Sequence, residues 1–217
     1  MPELDFRVVC AEVVKYAAGP TIMFRLEVEN SPAGEQIKAV MLRAQIRIEA
    51  LQRRYSDEEK LRLHDLFGNA DRWGKTVRSL LWTHAAVTVP PFLGECTVEI
   101  PIVCTYDFDV VGAKYLYALE TGEVPLLFLF SGTVLYENEA GVQISQISWE
   151  KEASFRLPIR IWKETMDHYF PNSAWLRIGK EVYDRLYAFK TQNGMIGWDD
   201  ALQGLLELAG DREHVEC

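Results

Sequence analysis

Two carboxylates near the middle of the chain have the spacing that acid and base catalysis would need. In the segment Tyr106-Asp107-Phe108-Asp109, strand geometry would place Asp107 and Asp109 on one face, where the pair could hold a cation or divide acid and base roles. With His84 and Tyr106 they define a candidate ligand pocket. The alternative is that both carboxylates are simply exposed charges at the end of a strand.

No established catalytic or cofactor motif accompanies these residues. Gly74-Lys75-Thr76 matches the end of a phosphate-binding loop, but Asn69 stands where the first glycine of that motif should be. The four histidines are widely separated, and Cys96 and Cys104 are too far apart on one strand to share a metal ion. The G-x-S-x-G elbow of serine hydrolases is absent. We therefore predict no catalytic residue, no cofactor and no metal site.

Residues 71–84 form the best candidate for a protein-binding surface. The segment contains Arg72, Trp73, Arg78 and Trp82, and Trp and Arg are enriched among the residues that dominate interface energies. In the alternative interpretation, both tryptophans plug the end of the folded domain while the arginines stay in water. The two interpretations differ in whether the two indole rings are exposed or buried.

The elements that must position these residues are mostly strands. Residues 123–136 are apolar at even and odd positions alike, which predicts a strand buried on both faces in the middle of a sandwich. Residues 21–29 and 38–51 alternate between apolar and polar side chains, which predicts strands with one wet face. Further strands are predicted at 6–16, 96–109, 113–119, 142–149 and 155–161. The fold class is therefore α+β, mainly β: an antiparallel β-sandwich of about eight strands.

One helix is predicted between two of the strands, and two more are predicted after the last strand. Ser56 and Glu59 fit a capping box, which predicts a short inserted helix near 56–67. After residue 171 the apolar period changes to three or four, which predicts a helix capped by Asn172 or Ser173 and a second, shorter helix. The predicted domains are a sandwich at 1–171, a C-terminal helical extension at 172–209 packed on it, and a loose tail at 210–217.

Composition limits the classes of partner and the cellular compartment that we expect for this protein. The formal net charge of −9, with Lys and Arg scattered among carboxylates, argues against a nucleic-acid partner. The N-terminal segment lacks the basic and apolar regions of a signal peptide, and no apolar run approaches the ~20 residues of a spanning helix. The four cysteines form no C-x-x-C pair and fit small core residues in a reducing compartment. We expect a cytoplasmic protein without membrane insertion.

Several short stretches carry a resemblance to a known family. They are Asp71-Arg-Trp73, Leu80-Leu-Trp-Thr83, Thr105-Tyr-Asp-Phe108, Phe130-Ser-Gly-Thr133, Ile147-Ser-Trp-Glu-Lys151 and Tyr169-Phe-Pro-Asn-Ser-Ala-Trp-Leu176. The chain resembles an uncharacterised bacterial family whose genes lie near those of uptake NiFe-hydrogenases, mainly in actinobacteria. The resemblance implies an accessory or maturation role, with a hydrogenase subunit as the protein partner. It brings no catalytic or ligand-binding residues.

Three functions remain open from the sequence. The first is a non-catalytic interaction or accessory protein that assists assembly or maturation of a hydrogenase-type complex, and it requires an exposed apolar or Trp/Arg patch. The second is a small-ligand-binding sandwich or an enzyme of unknown reaction, and it requires a cavity of roughly 300–1,000 Å³ with converging polar groups. The third is a chaperone-like holdase, which would present a groove of oligomerised sheets to unfolded clients.

Overall fold

The computed structural model describes residues 2–107 and 110–213. Nine strands within these residues form two antiparallel sheets. The strands are β1 (Glu3–Val14), β2 (Thr21–Ser31), β3 (Gln36–Ile48), β4 (Leu80–Val89), β5 (Phe92–Leu93), β6 (Glu95–Val103), β7 (Glu123–Asn138), β8 (Gly141–Gln146) and β9 (Glu152–Pro158). The predicted fold class, a mainly β antiparallel sandwich, is confirmed.

The smaller sheet has the strand order β1-β2-β6, and the larger has the order β4-β3-β7-β8. In the larger sheet β5 also pairs with β3, and β9 also pairs with β7. The helices are α1 (Asp57–Arg62), α2 (His64–Phe67), α3 (Trp73–Thr76), α4 (Val111–Ala118), α5 (Ile159–Tyr169), α6 (Lys180–Gln192) and α7 (Trp198–Glu213). Short 3-10 turns lie at Ala50–Gln52 and Ala70–Arg72.

The core lies between the inner faces of the two sheets. Phe24 of β2 packs edge-on against Phe128 of β7 and Phe155 of β9, with ring centroids 5.3 and 5.8 Å apart. Phe6 of β1 stacks on Phe130 of β7 at 4.4 Å. Aromatic pairs of this geometry join the sheets, because each ring removes a large apolar area from water.

The long strand β7 differs in one respect from the prediction of two buried faces. Its inward residues Leu126 and Phe128 are buried, but the outward Leu127 and Leu129 are only half-buried. In the pairing with β3, Leu127 lies opposite Arg47. The alkyl stem of an arginine can cover part of an apolar neighbour while its charged group stays in water.

Two segments predicted as strands are helical. Residues 113–119 lie largely in α4, and residues 159–161 begin α5 directly after β9. Ala113, Tyr115 and Leu116 of α4 are all buried. A short segment that is apolar on nearly every side has no clear period, so strand and helix cannot be distinguished by pattern.

The inserted helix forms where the capping box predicts it. The backbone N–H of Glu59 donates to Ser56 Oγ at 3.1 Å, and the N–H of Ser56 donates to the Glu59 carboxylate at 3.1 Å. Helices α1 and α2 together cover residues 57–67. They lead into the segment that carries the candidate tryptophans.

The chain divides into two compact units between Trp175 and Leu176. Residues 172–179 do not begin a helix, since Asn172 has a φ of 51° and Trp175 forms a β-bridge with Asp107. Helix α6 instead begins at Lys180.

The second unit is a pair of helices joined by a short turn. The Trp198 ring of α7 lies 5.3 Å from Tyr183 of α6, and the Lys190 ammonium lies 5.8 Å from the indole. Helix α7 continues to Glu213, within the predicted tail at 210–217, and residues 214–217 lie outside the described residues. The packing of this extension on the sandwich stays a prediction.

Candidate interaction surface

The tryptophan at the centre of the candidate segment 71–84 is packed. Trp73 is 6% exposed, and its indole N–H donates to the Gly68 carbonyl at 2.9 Å. Its ring meets Tyr55 and Phe67 edge-on, each at 5.3 Å. Trp73 therefore stabilises the fold from within and offers no surface to a partner.

The other three members of that segment are more accessible. Trp82 is half-buried, with its ring 6.2 Å from Phe24 and close against Gly112, where an added Cβ would lie 3.0 Å from the indole. Arg72 and Arg78 are exposed. The segment thus offers two cations and part of one indole, and its role in binding stays a prediction.

One of the four candidate pocket residues lies in a cleft. Tyr106 is buried against Trp162, with ring centroids 6.1 Å apart, and meets Tyr117 edge-on at 6.3 Å. The cleft has a volume of about 500 Å³ and is lined by Arg62, Tyr106, Tyr117, Trp162, Lys163, Met166 and Asp167. Burial raises the pKa of the Tyr106 hydroxyl, and the charges of Tyr117 and Asp167 raise it further. The hydroxyl is therefore protonated at neutral pH.

The other pocket candidates are not gathered around Tyr106. Asp107 is half-buried, and its backbone N–H donates to Thr105 Oγ1 at 3.1 Å. His84 is exposed on β4, opposite Gln45 of β3, and does not line the cleft. Asp109 lies outside the described residues.

A second cleft, of about 660 Å³, surrounds a buried ion pair. Arg53 Nη2 lies 2.5 Å from Glu59 Oε1, and the two side chains are 8% and 4% exposed. The guanidinium also donates to the carbonyls of Thr121 and Glu123, at 2.7 and 2.9 Å. Because these bonds join α1 to the start of β7, the cluster has a structural role.

The most exposed tryptophan of the sandwich lies elsewhere. Trp149 is 89% exposed in the loop between β8 and β9. The loop itself is held against β7, since the N–H of Ile147 donates to the Gly132 carbonyl at 3.0 Å and the N–H of Phe130 donates to the Lys151 carbonyl at 2.9 Å. A fixed backbone therefore presents this indole to solvent.

Further exposed apolar side chains lie beside this loop on the outer face of the larger sheet. On β8, Val142 and Ile144 are 62% and 68% exposed, and Ile144 lies opposite the half-buried Leu135 of β7. On β3, Met41 is 53% exposed. We call Val142, Ile144 and Trp149 the β8 patch. Clusters of exposed apolar residues on an ordered surface are typical of interaction sites.

Sequence reasoning missed the β8 patch, although two signals pointed toward it. Trp149 stands within one of the stretches that carry the family resemblance, and residues 142–149 are predicted as a strand. Neither signal indicates which tryptophan is exposed, because the tryptophans at 73, 82 and 149 all stand among mixed polar and apolar neighbours.

Two other kinds of site were sought in the part of the chain that the structure describes. No group of three or more His, Cys, Asp or Glu side chains there is arranged to hold a metal ion. Within the same residues, no helix combines the length and the apolar character needed to cross a bilayer.

The architecture and this surface define a β-sandwich protein with an exposed apolar patch at one sheet edge. The chain belongs to the family of unknown function DUF6084, whose model matches residues 1–214. This confirms that the resemblance is to an uncharacterised family. No curated protein matches the chain.

Two solved structures show weak similarity. A late embryogenesis abundant (LEA) protein solved in solution is 12% identical, with 73% of this chain and 72% of that chain covered and a TM-score of 0.30. A β-glucosidase from Kluyveromyces marxianus is 14% identical, with 70% of this chain but 15% of that chain covered and a TM-score of 0.24. Neither likeness bears on function.

Proposed function

We propose that this protein is a non-catalytic interaction protein that binds another protein through the β8 patch. The observation that supports the proposal is the exposure of Trp149, in the loop that follows the strand carrying the exposed Val142 and Ile144. Tryptophan is the residue type most often found at the energetic centre of protein interfaces.

The geometry of the β8 patch favours binding because the backbone that carries it is already ordered. The loop of Trp149 is already hydrogen-bonded to β7, and Val142 and Ile144 lie on a regular strand. Burying one such apolar side chain stabilises a complex by roughly 1.5–3 kcal/mol, and a preordered loop loses less entropy on binding.

The proposed partner is a subunit or precursor of a hydrogenase-type complex, whose assembly or maturation the protein would assist. This part of the proposal rests on the family resemblance, which implies gene neighbourhood with uptake NiFe-hydrogenases. Capture of hydrogenase subunits from the native cell would support it, and a reproducible complex that contains none would contradict it.

The variant Trp149→Ala is expected to weaken partner binding at least tenfold, because a central interface tryptophan contributes about 2 kcal/mol or more. Its free energy of unfolding should stay within about 0.5 kcal/mol of the wild type, since the side chain is exposed. Tagged proteins are recovered from native cells, the partner is identified by mass spectrometry, and its affinity for each variant is measured by calorimetry.

Tyr16→Ala is the matched control, because Tyr16 is an aromatic residue of 96% exposure in the loop between β1 and β2. Equal affinity of all three proteins for the partner would contradict a role for the β8 patch. Loss of binding in Arg72→Ala or Arg78→Ala, with Trp149→Ala unaffected, would move the interface to the segment 71–84.

A second candidate function is the binding of a small ligand in the cleft of Tyr106. Its volume of about 500 Å³ lies within the ordinary range of ligand sites, and its lining includes the charged groups Lys163 and Asp167. A compound library is screened by thermal stabilisation of the wild type and of Lys163→Ala. Stabilisation of the wild type alone would support this function, and no stabilisation by any compound would argue against it.

A further inference from the structure

We propose that the free edge of β8 binds an extended segment of the partner as an added strand. This segment of the partner has an uncharged centre and Lys or Arg at both ends. The inference rests on the interaction function proposed above and specifies its binding mode. In such strand addition, backbone hydrogen bonds supply affinity and alternate side chains supply specificity.

In the part of the chain that the structure describes, one edge of β8 has no strand paired to it. Where the two sheets meet, β1 lies beside β9 and β4 lies beside β6, so these edges face other strands. Strand β8 pairs with β7 alone, and no other strand of the described residues is hydrogen-bonded to its far side. Its outward backbone groups are therefore not paired by these strands.

Strand β8 lacks the features by which edge strands normally avoid pairing, which include charges, prolines, bulges and very short length. β1 carries charges and a bulge between Val8 and Cys10, and β4 carries a bulge opposite Ile46 and Arg47. β6 contains two carboxylates and a proline, β9 contains one carboxylate and a proline, and β5 has two residues. β8 reads Gly-Val-Gln-Ile-Ser-Gln in unbroken register over six residues. Among the described edges it is the one that nothing protects.

The register of β7 and β8 shows which backbone groups of β8 point away from β7. The backbone N–H of Phe130 and the carbonyl of Gly132 both point toward the side of β7 on which β8 lies. Alternation along antiparallel strands then directs Gly141, Gln143 and Ser145 toward β7, and Val142, Ile144 and Gln146 outward. Three outward positions on alternate residues are thus available to an added strand, and the exposed Trp149 lies in the loop that follows β8.

Carboxylates flank β8 at both of its ends. Glu139 lies at the hairpin tip before β8, and Glu150 and Glu152 follow it, all three exposed. The lysines nearby, Lys38 and Lys151, are already ion-paired with other carboxylates. A neutral strand with negative ends is complementary to a neutral segment with basic ends.

The same charges disfavour a second copy of this chain as the occupant. Antiparallel pairing of two β8 strands would bring Glu139 of one copy beside Glu150 of the other. Like charges placed opposite each other destabilise a strand pair, and the net charge of −9 adds to the repulsion. The occupant is therefore a segment of a different protein.

The experiment uses the full-length protein and a fluorescent ten-residue peptide with Lys-Arg at one end, Arg-Lys at the other and alternating Thr and Val between. Binding is measured by anisotropy, and amide hydrogen exchange is followed residue by residue. We expect the Val142, Ile144 and Gln146 amides to exchange at least tenfold more slowly with peptide, while Gln143 and Ser145 are unchanged. A peptide with Asp-Glu ends should bind at least tenfold more weakly.

The variant Ile144→Pro removes an outward N–H without removing a hydrogen bond to β7, and Ile144→Ala is the matched control that keeps this N–H. We expect peptide affinity to fall at least tenfold between control and proline variant. If Ile144→Pro does not fold, Gln146→Pro compared with Gln146→Ala provides the same test.

Three outcomes would overturn the inference: no binding of the basic-ended peptide, binding without protection of the outward amides, or protection of those amides by self-association alone. Binding of the cellular partner to the two variants distinguishes failure of strand addition from failure of the interaction function. A partner lost from Trp149→Ala but retained by Ile144→Pro would overturn strand addition and leave the interaction function standing. A partner retained by both variants would overturn both.

Discussion

Replacing Gly132 by alanine is expected to lower the free energy of unfolding by about 2–6 kcal/mol, the sum of backbone strain and overpacking. Gly132 has a φ of 147°, and an added Cβ would lie 2.1 Å from the Met41 carbonyl oxygen and 3.2 Å from the Leu42 Cα of β3. Both atoms belong to the backbone of the neighbouring strand, so a side-chain rotation cannot relieve the contact. The two central strands of the larger sheet would have to separate locally.

Urea unfolding followed by circular dichroism measures this effect, provided that the slope with denaturant is unchanged. Gly74→Ala is the matched control, because an added Cβ there meets open space. We expect it to change stability by about 1 kcal/mol or less. A Gly132→Ala protein as stable as the control would show that the strands can adjust.

The same glycine also holds the candidate interaction surface. Its carbonyl accepts the N–H of Ile147, which begins the loop of Trp149. In Gly132→Ala protein that remains folded, we therefore expect faster exchange of the Ile147 amide and weaker partner binding.

Replacing Glu59 by alanine is expected to destabilise the protein by about 3–5 kcal/mol, since it leaves the buried Arg53 without its ion-pair partner. The carboxylate also accepts the backbone N–H groups of Ser56 and Glu120, at 3.1 and 2.9 Å. Its loss removes the capping box of α1 together with the link from α1 to the start of β7.

Urea unfolding again provides the measurement, with Asp57→Ala as the control. Asp57 is a neighbouring carboxylate that pairs with Lys60 on the surface. Exposed ion pairs contribute little, so the control should change stability far less. Equal effects of the two substitutions would contradict a special role for the buried pair.

Stability should also depend on pH through Glu59. Burial alone would raise the pKa of this carboxyl group, but the N–H groups of Glu120 and Ser56 and the Arg53 guanidinium outweigh it and hold the pKa below its ordinary value. The stabilisation is therefore complete above the unfolded-state pKa of about 4.3 and is lost as the pH falls through the folded-state value. The stability difference between wild type and Glu59→Gln should shrink as the pH falls below about 4.3. A stability difference that grows on acidification would contradict the lowered pKa of Glu59.

Several elements could be derived from the sequence because local patterns encode them. The alternation of residues 21–29 predicts a strand with one buried face, and β2 has that burial. Ser56 and Glu59 predict the start of α1 because both partners of a capping box lie within four residues. Signals of this kind involve neighbours along the chain, so no knowledge of the tertiary structure is required.

Other elements were decided by contacts between residues distant in sequence. Segment 113–119 has strand-like composition, yet α4 is helical there and buries Tyr115, whose hydroxyl lies 2.7 Å from that of Tyr55. The candidate tryptophans were undecided for the same reason. Trp73 is enclosed by aromatic residues from other elements, whereas Trp149 has no such enclosure.

That this protein is an antiparallel sandwich with an inserted helix could be predicted from its sequence, because strand alternation and helix capping are local properties. The burial of Trp73, the exposure of Trp149 and the position of β8 at a sheet edge are known only from the folded structure. Whether a strand is central or at an edge depends on which other strands pair with it. That pairing is a property of the whole sheet, and the six residues of β8 carry no local signal of it.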